Sequence, residues 1–216
     1  MALSIIITED GSHSLRNEEL LETYHSVHGA VRESNHVFIQ HGLDHQLKSN
    51  PSSLRILEAG FGTGLNALLT ALQVAIPVYY ESWELYPLPM DVVKQLNHGD
   101  QLASVALFHA LHEAPWNQIA VLNTNFTLCK RTADLLQETP TGQFDIIYYD
   151  AFAPSKQPAL WERDVIRKMI ETLVPGGVFV TYCAKGQLKR DLSSLGLAVE
   201  TLPGPPGKKE MVRATR

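Results

Sequence analysis

Short apolar runs alternate with amphipathic segments along this chain from residue 52 to the C-terminus. Apolar runs of this length predict buried strands, and apolar residues spaced three or four apart predict helices between them. Strands that alternate with helices form a parallel sheet, so the pattern predicts an α/β fold. The last two strands flank the turn at 203–207 and predict an antiparallel hairpin at one sheet edge. The predicted strands are 54–58, 78–85, 126–132, 144–149, 177–183, 198–202 and 210–214, and the predicted helices are 65–74, 89–96, 100–111, 159–173 and 185–194.

Residues 1–50 do not join this alternation, because they are polar and rich in histidine. They include a turn-forming cluster at 8–12. We expect an N-terminal extension over 1–50, packed on or over a ligand site, and one ligand-binding domain over 51–216. The alternative for the extension is a structural cap on the sheet.

Composition narrows the class of protein. The chain has 216 residues and a formal net charge of −5. It has no apolar run long enough for a membrane span and no signal peptide. We therefore expect a cytoplasmic protein without a membrane partner. Two cysteines exclude a disulfide framework, and the histidine pairs lack a metal-binding pattern, so no metal is expected. No feature indicates an oligomeric state. Seven basic and three acidic residues follow position 184, so the C-terminal part carries a local positive charge. This part of the surface either binds a polyanion or is an ordinary solvated surface.

A glycine-rich turn, Gly60-x-Gly62-x-Gly64, follows the first predicted strand and precedes a helix that begins near Asn66. Such a turn lets the backbone approach a nucleotide closely. Its spacing is tighter than that of the dinucleotide-binding signature. Glu58, directly before it, would repel a pyrophosphate. Both features favour S-adenosylmethionine, which has a nucleoside, an amino acid group and a sulfonium but no phosphate.

Two acidic residues at later strand ends are candidates for holding the same cofactor. Glu84 ends the second predicted strand, where a carboxylate accepts hydrogen bonds from ribose hydroxyls. Asp134 follows the third strand, and we interpret it as a partner for the adenine amino group. The alternative for Asp134 is a cap on the short helix that follows.

Asp150, at the end of the fourth of these central strands, is the candidate catalytic residue. Methylation of an amine needs a neutral nitrogen held in line with the methyl donor, and a carboxylate here can take its proton. Phe152 and Pro154 would shape the acceptor pocket. Lys156 would approach a substrate phosphate, unless it is an ordinary surface lysine.

Four segments together resemble one known family: LEAGFGTGLN at 57–66, WELYPL at 83–88, DAFAPSKQPALW at 150–161 and GKKEM at 207–211. They are similar to the methyltransferase domain of MnmC, the bifunctional enzyme of 5-methylaminomethyl-2-thiouridine biosynthesis in tRNA. The resemblance implies a Rossmann-like class I fold that depends on S-adenosylmethionine, and by matched position the loop from Glu58 to Asn66 and Glu84 would hold this cofactor. It implies methyl transfer to the primary amine of 5-aminomethyl-2-thiouridine at the wobble position.

The same resemblance implies a tRNA anticodon stem-loop as partner. Lys185, Lys208 and Lys209 would then bind its phosphates near the site. The sequence ends at Arg216, and we expect a stand-alone methyltransferase without the flavin-dependent oxidase domain. Two other functions stay open: methylation of a small-molecule or protein amine, and cofactor binding without catalysis.

Overall fold

The described chain, residues 2–216 of a computed structural model, forms three short N-terminal strands, one helical segment and then alternating strands and helices. The strands are β1 Leu3–Ile7, β2 His13–Asn17, β3 Glu22–Thr23, β4 Leu54–Ala59, β5 Val78–Glu84, β6 Ile119–Asn123, β7 Phe126–Thr132, β8 Phe144–Tyr149, β9 Leu173–Thr181, β10 Ala198–Pro203 and β11 Glu210–Thr215. The α-helices are α1 Ala30–Ser34, α2 Asp44–Leu47, α3 Leu65–Gln73, α4 Met90–Val93, α5 His98–Gln101, α6 Val105–Glu113, α7 Arg163–Ile170 and α8 Gly186–Ser194.

Eight strands form the central sheet in the order β10-β11-β9-β8-β4-β5-β7-β6. The five inner strands from β9 to β7 are parallel, and β11, β10 and β6 are antiparallel to their neighbours. The chain runs from β4 outward to β5, and later returns to β8 on the other side of β4. Ligands of open parallel sheets bind at such a reversal, beyond the carboxyl ends of the strands. The fold therefore points to the ends of β4 and β8.

Two apolar clusters cover the two faces of the sheet, as the alternation of side chains along a strand requires. Ile146 and Tyr148 pack into one cluster with α3 and α6, and Ile147 and Tyr149 pack into the other with α7 and α8. No helix within residues 2–216 has the length and apolar character to cross a membrane.

Residues 2–50, which belong to the predicted extension outside the alternation, build a small antiparallel sheet and one long helical segment. The cluster at 8–12 is the turn between β1 and β2, where the Thr8 N–H donates to the Ser12 carbonyl at 2.9 Å. A wide π-helical stretch, Asn35–Leu43, joins α1 to α2. Its Phe38 ring lies 5.1 Å from the ring of Tyr148 on the central sheet. The segment thus shares its core with the strands that carry the site.

The predicted boundaries differ from the structure where backbone geometry interrupts an apolar pattern. The helix predicted at 100–111 is two helices, α5 and α6, because Ala103 adopts a positive φ of 50° between them. The helix predicted at 159–173 begins as a 3-10 turn, Pro158–Trp161, and Glu162 is extended before α7. The prediction omits β6, whose Ile119 and Val121 are exposed and which is held by pairing with β7.

Candidate active site

A cavity of about 1010 Å³ opens at the carboxyl ends of the central strands. The glycine turn after β4, the ends of β5 and β8 and the loop after β7 form its floor and sides. Residues of the N-terminal segment between Asn17 and Glu33 form the opposite wall. This volume is at the upper end of the range for small-molecule sites and accommodates a nucleoside cofactor together with an acceptor.

The glycine turn packs directly against the end of β8. Gly60 has φ +91°, and a Cβ there would lie 2.9 Å from the carbonyl oxygen of Asp150. Gly62 lines the cavity, and its N–H donates to a carboxylate oxygen of Glu84 at 3.1 Å. Gly64 adopts a left-handed conformation at the start of α3 and does not line the cavity. Only a residue without a side chain fits this close approach at Gly60.

A chain of hydrogen bonds runs beneath the turn from Glu58 through Asn66 to Asp150. The Asn66 side-chain nitrogen donates to Glu58 at 3.1 Å and to Asp150 at 2.8 Å, and Ser82 donates to the other Glu58 oxygen at 2.6 Å. Glu58 is fully buried and does not line the cavity. Burial raises the pKa of its carboxyl to about 8, against the hydrogen bonds from Ser82 and Asn66.

The sequence places Glu58 in contact with the cofactor, and the structure places it one layer below. Its carboxylate is fully buried and does not line the cavity, and it is linked to the cavity by the hydrogen bond from Asn66, which does. Its burial also weakens the reasoning that Glu58 repels a phosphate, because a carboxyl group whose pKa is raised to about 8 is largely neutral at pH 7.

Asp150 lines the cavity at the end of β8, as the sequence predicts. Burial raises the pKa of this carboxyl to about 7, and the negative charge of Glu33 acts in the same direction. The hydrogen bond from Asn66 and the charge of Lys208 oppose that rise. A group with a pKa near 7 exchanges protons readily at neutral pH, which suits general base catalysis.

Glu84 and Asp134 also reach the cavity. Glu84 accepts hydrogen bonds from the N–H groups of Gly62 and Tyr86, which fixes its carboxylate between the glycine turn and the end of β5. Asp134 accepts a hydrogen bond from the Leu136 N–H at 2.8 Å. It therefore caps the turn at 134–138 and faces the cavity at the same time, so both interpretations of this residue fit its position.

The predicted acceptor residues divide between two adjoining spaces. Phe152 and Lys156 line the main cavity, whereas Pro154, Lys185 and Lys209 line a shallow neighbouring groove of about 480 Å³. Lys208 lines both. The groove is open and basic, and it continues from the mouth of the cavity.

The positive charge of the C-terminal part is smaller than the sequence suggests. Lys189 pairs with Glu210 at 2.8 Å, Arg213 pairs with Glu200 at 2.9 Å, and Lys208 pairs with Glu33. Arg216 binds backbone carbonyls at the end of α7 and the start of β9. The exposed lysines that remain, Lys185 and Lys209, are the ones that line the groove.

The side chains of the cavity wall that sequence reasoning missed include Tyr24, Glu33 and Tyr182. The Tyr24 ring lies 4.9 Å from the ring of Phe152, edge to face. Tyr182 donates from its hydroxyl to the Ala151 carbonyl at 2.8 Å. Tyr182 directly follows β9, and this position at the end of a central strand could have identified it as a cavity residue. Tyr24 and Glu33 lie in the N-terminal segment, where no such pattern marks cavity residues. No group of three or more metal-binding side chains is found among residues 2–216.

These features define an α/β protein with a nucleoside-type cavity at the reversal of a parallel sheet. Residues 101–216 match the family described as S-adenosyl-L-methionine-dependent methyltransferase, and the chain belongs to that family. Its fold is the Rossmann-like fold of class I methyltransferases, with the antiparallel C-terminal hairpin that the sequence predicts.

The resemblance to MnmC is confirmed. The chain is 31% identical over 211 residues to the tRNA 5-methylaminomethyl-2-thiouridine biosynthesis bifunctional protein MnmC of Idiomarina loihiensis, covering 88% of this chain and 35% of the relative. It is 28% identical over 217 residues to the protein of the same name from Pseudomonas savastanoi pv. phaseolicola, covering 93% of this chain and 33% of the relative. The chain thus spans about a third of the length of the curated relatives it matches.

Solved structures share the fold over nearly the whole chain. The crystal structure of MNMC2 from Aquifex aeolicus has a TM-score of 0.76 at 24% identity and covers 99% of this chain and 70% of its own. Spermidine synthase from Thermotoga maritima has a TM-score of 0.61 at 12% identity, covering 99% and 68%. Identities this low establish the common fold and no more.

The residues present fit the cofactor of this family. A Cβ at Gly60 would fill the space between the turn and Asp150, and Glu84 is fixed beside the turn with its carboxylate at the cavity. The cavity also carries several carboxylates, which suits a ligand with a sulfonium and an ammonium group. The chain therefore has both the close-packed glycine turn and the negatively charged cavity wall that S-adenosylmethionine requires.

Proposed function

We propose that this chain transfers a methyl group from S-adenosylmethionine to the primary amine of 5-aminomethyl-2-thiouridine at the tRNA wobble position. The observation that carries the proposal is Asp150, a carboxylate on the cavity wall whose pKa burial raises to about 7. Similarity to the MnmC proteins supports tRNA as the substrate, since their name states that biosynthesis.

In this proposal each part of the cavity has one task. Bound S-adenosylmethionine supplies an electrophilic methyl group, and the Gly60–Gly64 turn, Glu84 and Asp134 hold it. Asp150 takes a proton from the acceptor ammonium and so frees the nitrogen lone pair, which would bond to the methyl carbon as the methyl–sulfur bond breaks and S-adenosylhomocysteine leaves. Phe152 and Tyr24 wall the acceptor pocket and exclude water.

In this proposal the groove beside the cavity binds the phosphate backbone of the tRNA. Lys185 and Lys209 are exposed there, and a phosphate backbone is held by such charges without regard to sequence. Pro154 shapes the boundary between groove and cavity. We assign methyl transfer to residues 51–216, and we assign to residues 1–50 the role of an extension that closes the cavity.

The test is methylation of tRNA from cells that lack this step, with labelled S-adenosylmethionine followed by nucleoside analysis. The expected product is 5-methylaminomethyl-2-thiouridine. Label in a small molecule or in protein instead of tRNA would replace the proposed acceptor with another amine. Cofactor binding without any transfer would refute enzymatic activity.

Two variants locate the chemistry. Asp150→Asn keeps the size of the side chain and removes the base, so we expect kcat to fall by about 100-fold or more while cofactor binding persists. The matched control is Asp100→Asn, an exposed residue of α5 outside the cavity. If Asp150→Asn turns over at the wild-type rate, the assignment of Asp150 is wrong.

A further inference from the structure

A carboxylate, an ammonium and an aromatic ring meet at the cavity wall, and they come from three distant parts of the chain. Glu33 on α1 accepts a hydrogen bond from the Lys208 ammonium, and its second oxygen accepts one from the Ser26 N–H at 2.6 Å. The same Lys208 nitrogen lies 4.1 Å from the centre of the Tyr182 ring. All three side chains line the cavity that contains Asp150.

This arrangement has the chemistry of an ammonium-binding site. A carboxylate together with the face of an aromatic ring attracts a cation, and the attraction grows when water is excluded. The Glu33 side chain is only 8% exposed, so its charge requires a partner. In this structure that partner is the chain's own lysine, which is attached to the hairpin between β10 and β11.

The position of Lys208 allows its side chain to move away from Glu33. It lies where the main cavity meets the basic groove, it is 33% exposed, and the next residue, Lys209, is exposed. A long flexible side chain at such a boundary can turn from the cavity toward a phosphate in the groove. The Glu33 carboxylate would then face the acceptor.

We propose that Glu33 and the Tyr182 ring form the subsite for the protonated amine of the acceptor beside Asp150, and that Lys208 occupies this subsite until the acceptor displaces it. This inference rests on the proposed function and identifies the part of the cavity that selects an amine. Glu33 and Tyr182 bind and position the amine, and Asp150 takes its proton.

The test compares two nucleosides that differ only in the aminomethyl group at position 5. Binding of 5-aminomethyl-2-thiouridine and of 2-thiouridine is measured by calorimetry with S-adenosylhomocysteine present. Wild type is expected to prefer the amine-bearing nucleoside, and Glu33→Gln to lose at least tenfold of that preference. Lys208→Met, which removes the competing cation, is expected to increase affinity for the amine-bearing nucleoside alone.

Matched variants separate this role from a structural one. Glu113→Gln removes an exposed carboxylate of α6 outside the cavity, and it should leave the preference unchanged. Tyr182→Phe retains the ring and should keep the preference, whereas Tyr182→Leu should reduce it. Thermal unfolding identifies variants that do not fold, and Tyr182→Leu carries the test if Glu33→Gln is among them.

The results distinguish this inference from the proposed function. If wild type shows no preference for the amine, or if Glu33→Gln retains it, the subsite is refuted and the Glu33–Lys208 pair is only a structural link. Transfer to tRNA with an unchanged KM in Glu33→Gln would refute the subsite and leave the function standing. Amine preference without transfer to any tRNA would refute the function and leave the subsite standing.

Discussion

The side-chain nitrogen of Asn66 lies 2.8 Å from Oδ2 of Asp150, so the first turn of α3 is bonded to the end of β8. This hydrogen bond favours the ionised form of Asp150 and lowers its pKa, whereas burial raises it to about 7. The protonation state of the proposed base is therefore set mainly by burial and adjusted by Asn66, a residue of the predicted cofactor-binding loop.

Replacing Asn66 by Ala should shift the pH dependence of methyl transfer. Transfer requires ionised Asp150, so kcat/KM should rise with pH through about 7 in wild type. Without the donor the pKa of Asp150 is higher still, and the rise should move toward higher pH. The measurement is kcat/KM against pH, with Gln118→Ala, an exposed amide outside the cavity, as control.

A wild-type profile in Asn66→Ala would show that the amide does not set the pKa of Asp150. Equal loss of activity at every pH would assign Asn66 to binding alone.

Replacing Gly60 by Ala should weaken cofactor binding through one close contact. The new Cβ would lie 2.9 Å from the Asp150 carbonyl, so the turn and the end of β8 must separate. Alanine at a positive φ also costs roughly 1–2 kcal/mol in strain. We expect affinity for S-adenosylmethionine to fall by about tenfold or more, measured by calorimetry.

Gly196→Ala is the control that carries the strain without the contact. Gly196 has φ +89°, close to the +91° of Gly60, and a Cβ there has no atom within 4 Å. Gly60→Ala should lose more stability than Gly196→Ala, because it adds the clash to the strain, and only Gly60→Ala should lose cofactor affinity. Equal affinities in the two would show that the turn tolerates a side chain.

Replacing Glu58 by Gln should flatten the dependence of stability on pH. The pKa of Glu58 is raised from 4.5 to about 8 by burial, so between these values the folded protein holds a proton that the unfolded chain has released. Wild-type stability should therefore fall as pH rises through this window, by about 1.4 kcal/mol per pH unit from this group. The contribution is fully present below pH 4.5 and lost above about pH 8.

Chemical denaturation at several pH values measures this effect as the difference between wild type and variant. Glu113→Gln changes an exposed carboxylate of α6 and should leave the slope unchanged. A slope in Glu58→Gln equal to that of wild type would show that Glu58 is ionised throughout.

The central sheet could be predicted from sequence because burial on both faces leaves continuous apolar runs, as in β8. Residues 1–50 could not, because their strands are short and their helical segment contains a wide π-helical stretch that breaks the usual spacing. The edge strand β6 has its apolar side chains in solvent, so its pattern carries no burial signal.

The site was predictable where a strand end placed a residue, as for Glu84 and Asp150. Whether a carboxylate at that end faces the ligand or lies beneath the turn depends on packing, and Glu58 shows the second outcome. The Glu33–Lys208 pair joins residues 175 positions apart. No local sequence pattern indicates such a pair. The neutralisation of the Lys208 charge by Glu33 therefore could not be predicted from sequence.

Charge reversal in the groove should weaken tRNA binding without affecting the cofactor. Lys185 and Lys209 are exposed and line the groove beside the cavity, whereas the other lysine that lines it, Lys208, is paired with Glu33. Each lost phosphate contact should reduce the slope of log affinity against log salt by about 1. We therefore expect Lys185→Glu with Lys209→Glu to lower tRNA affinity by about tenfold or more at low salt. Lys48→Glu with Lys94→Glu, which reverses two exposed lysines at the ends of α2 and α4 outside the groove, is the control for total charge. If both proteins lose affinity equally, net charge governs binding; if neither does, the groove does not contact tRNA.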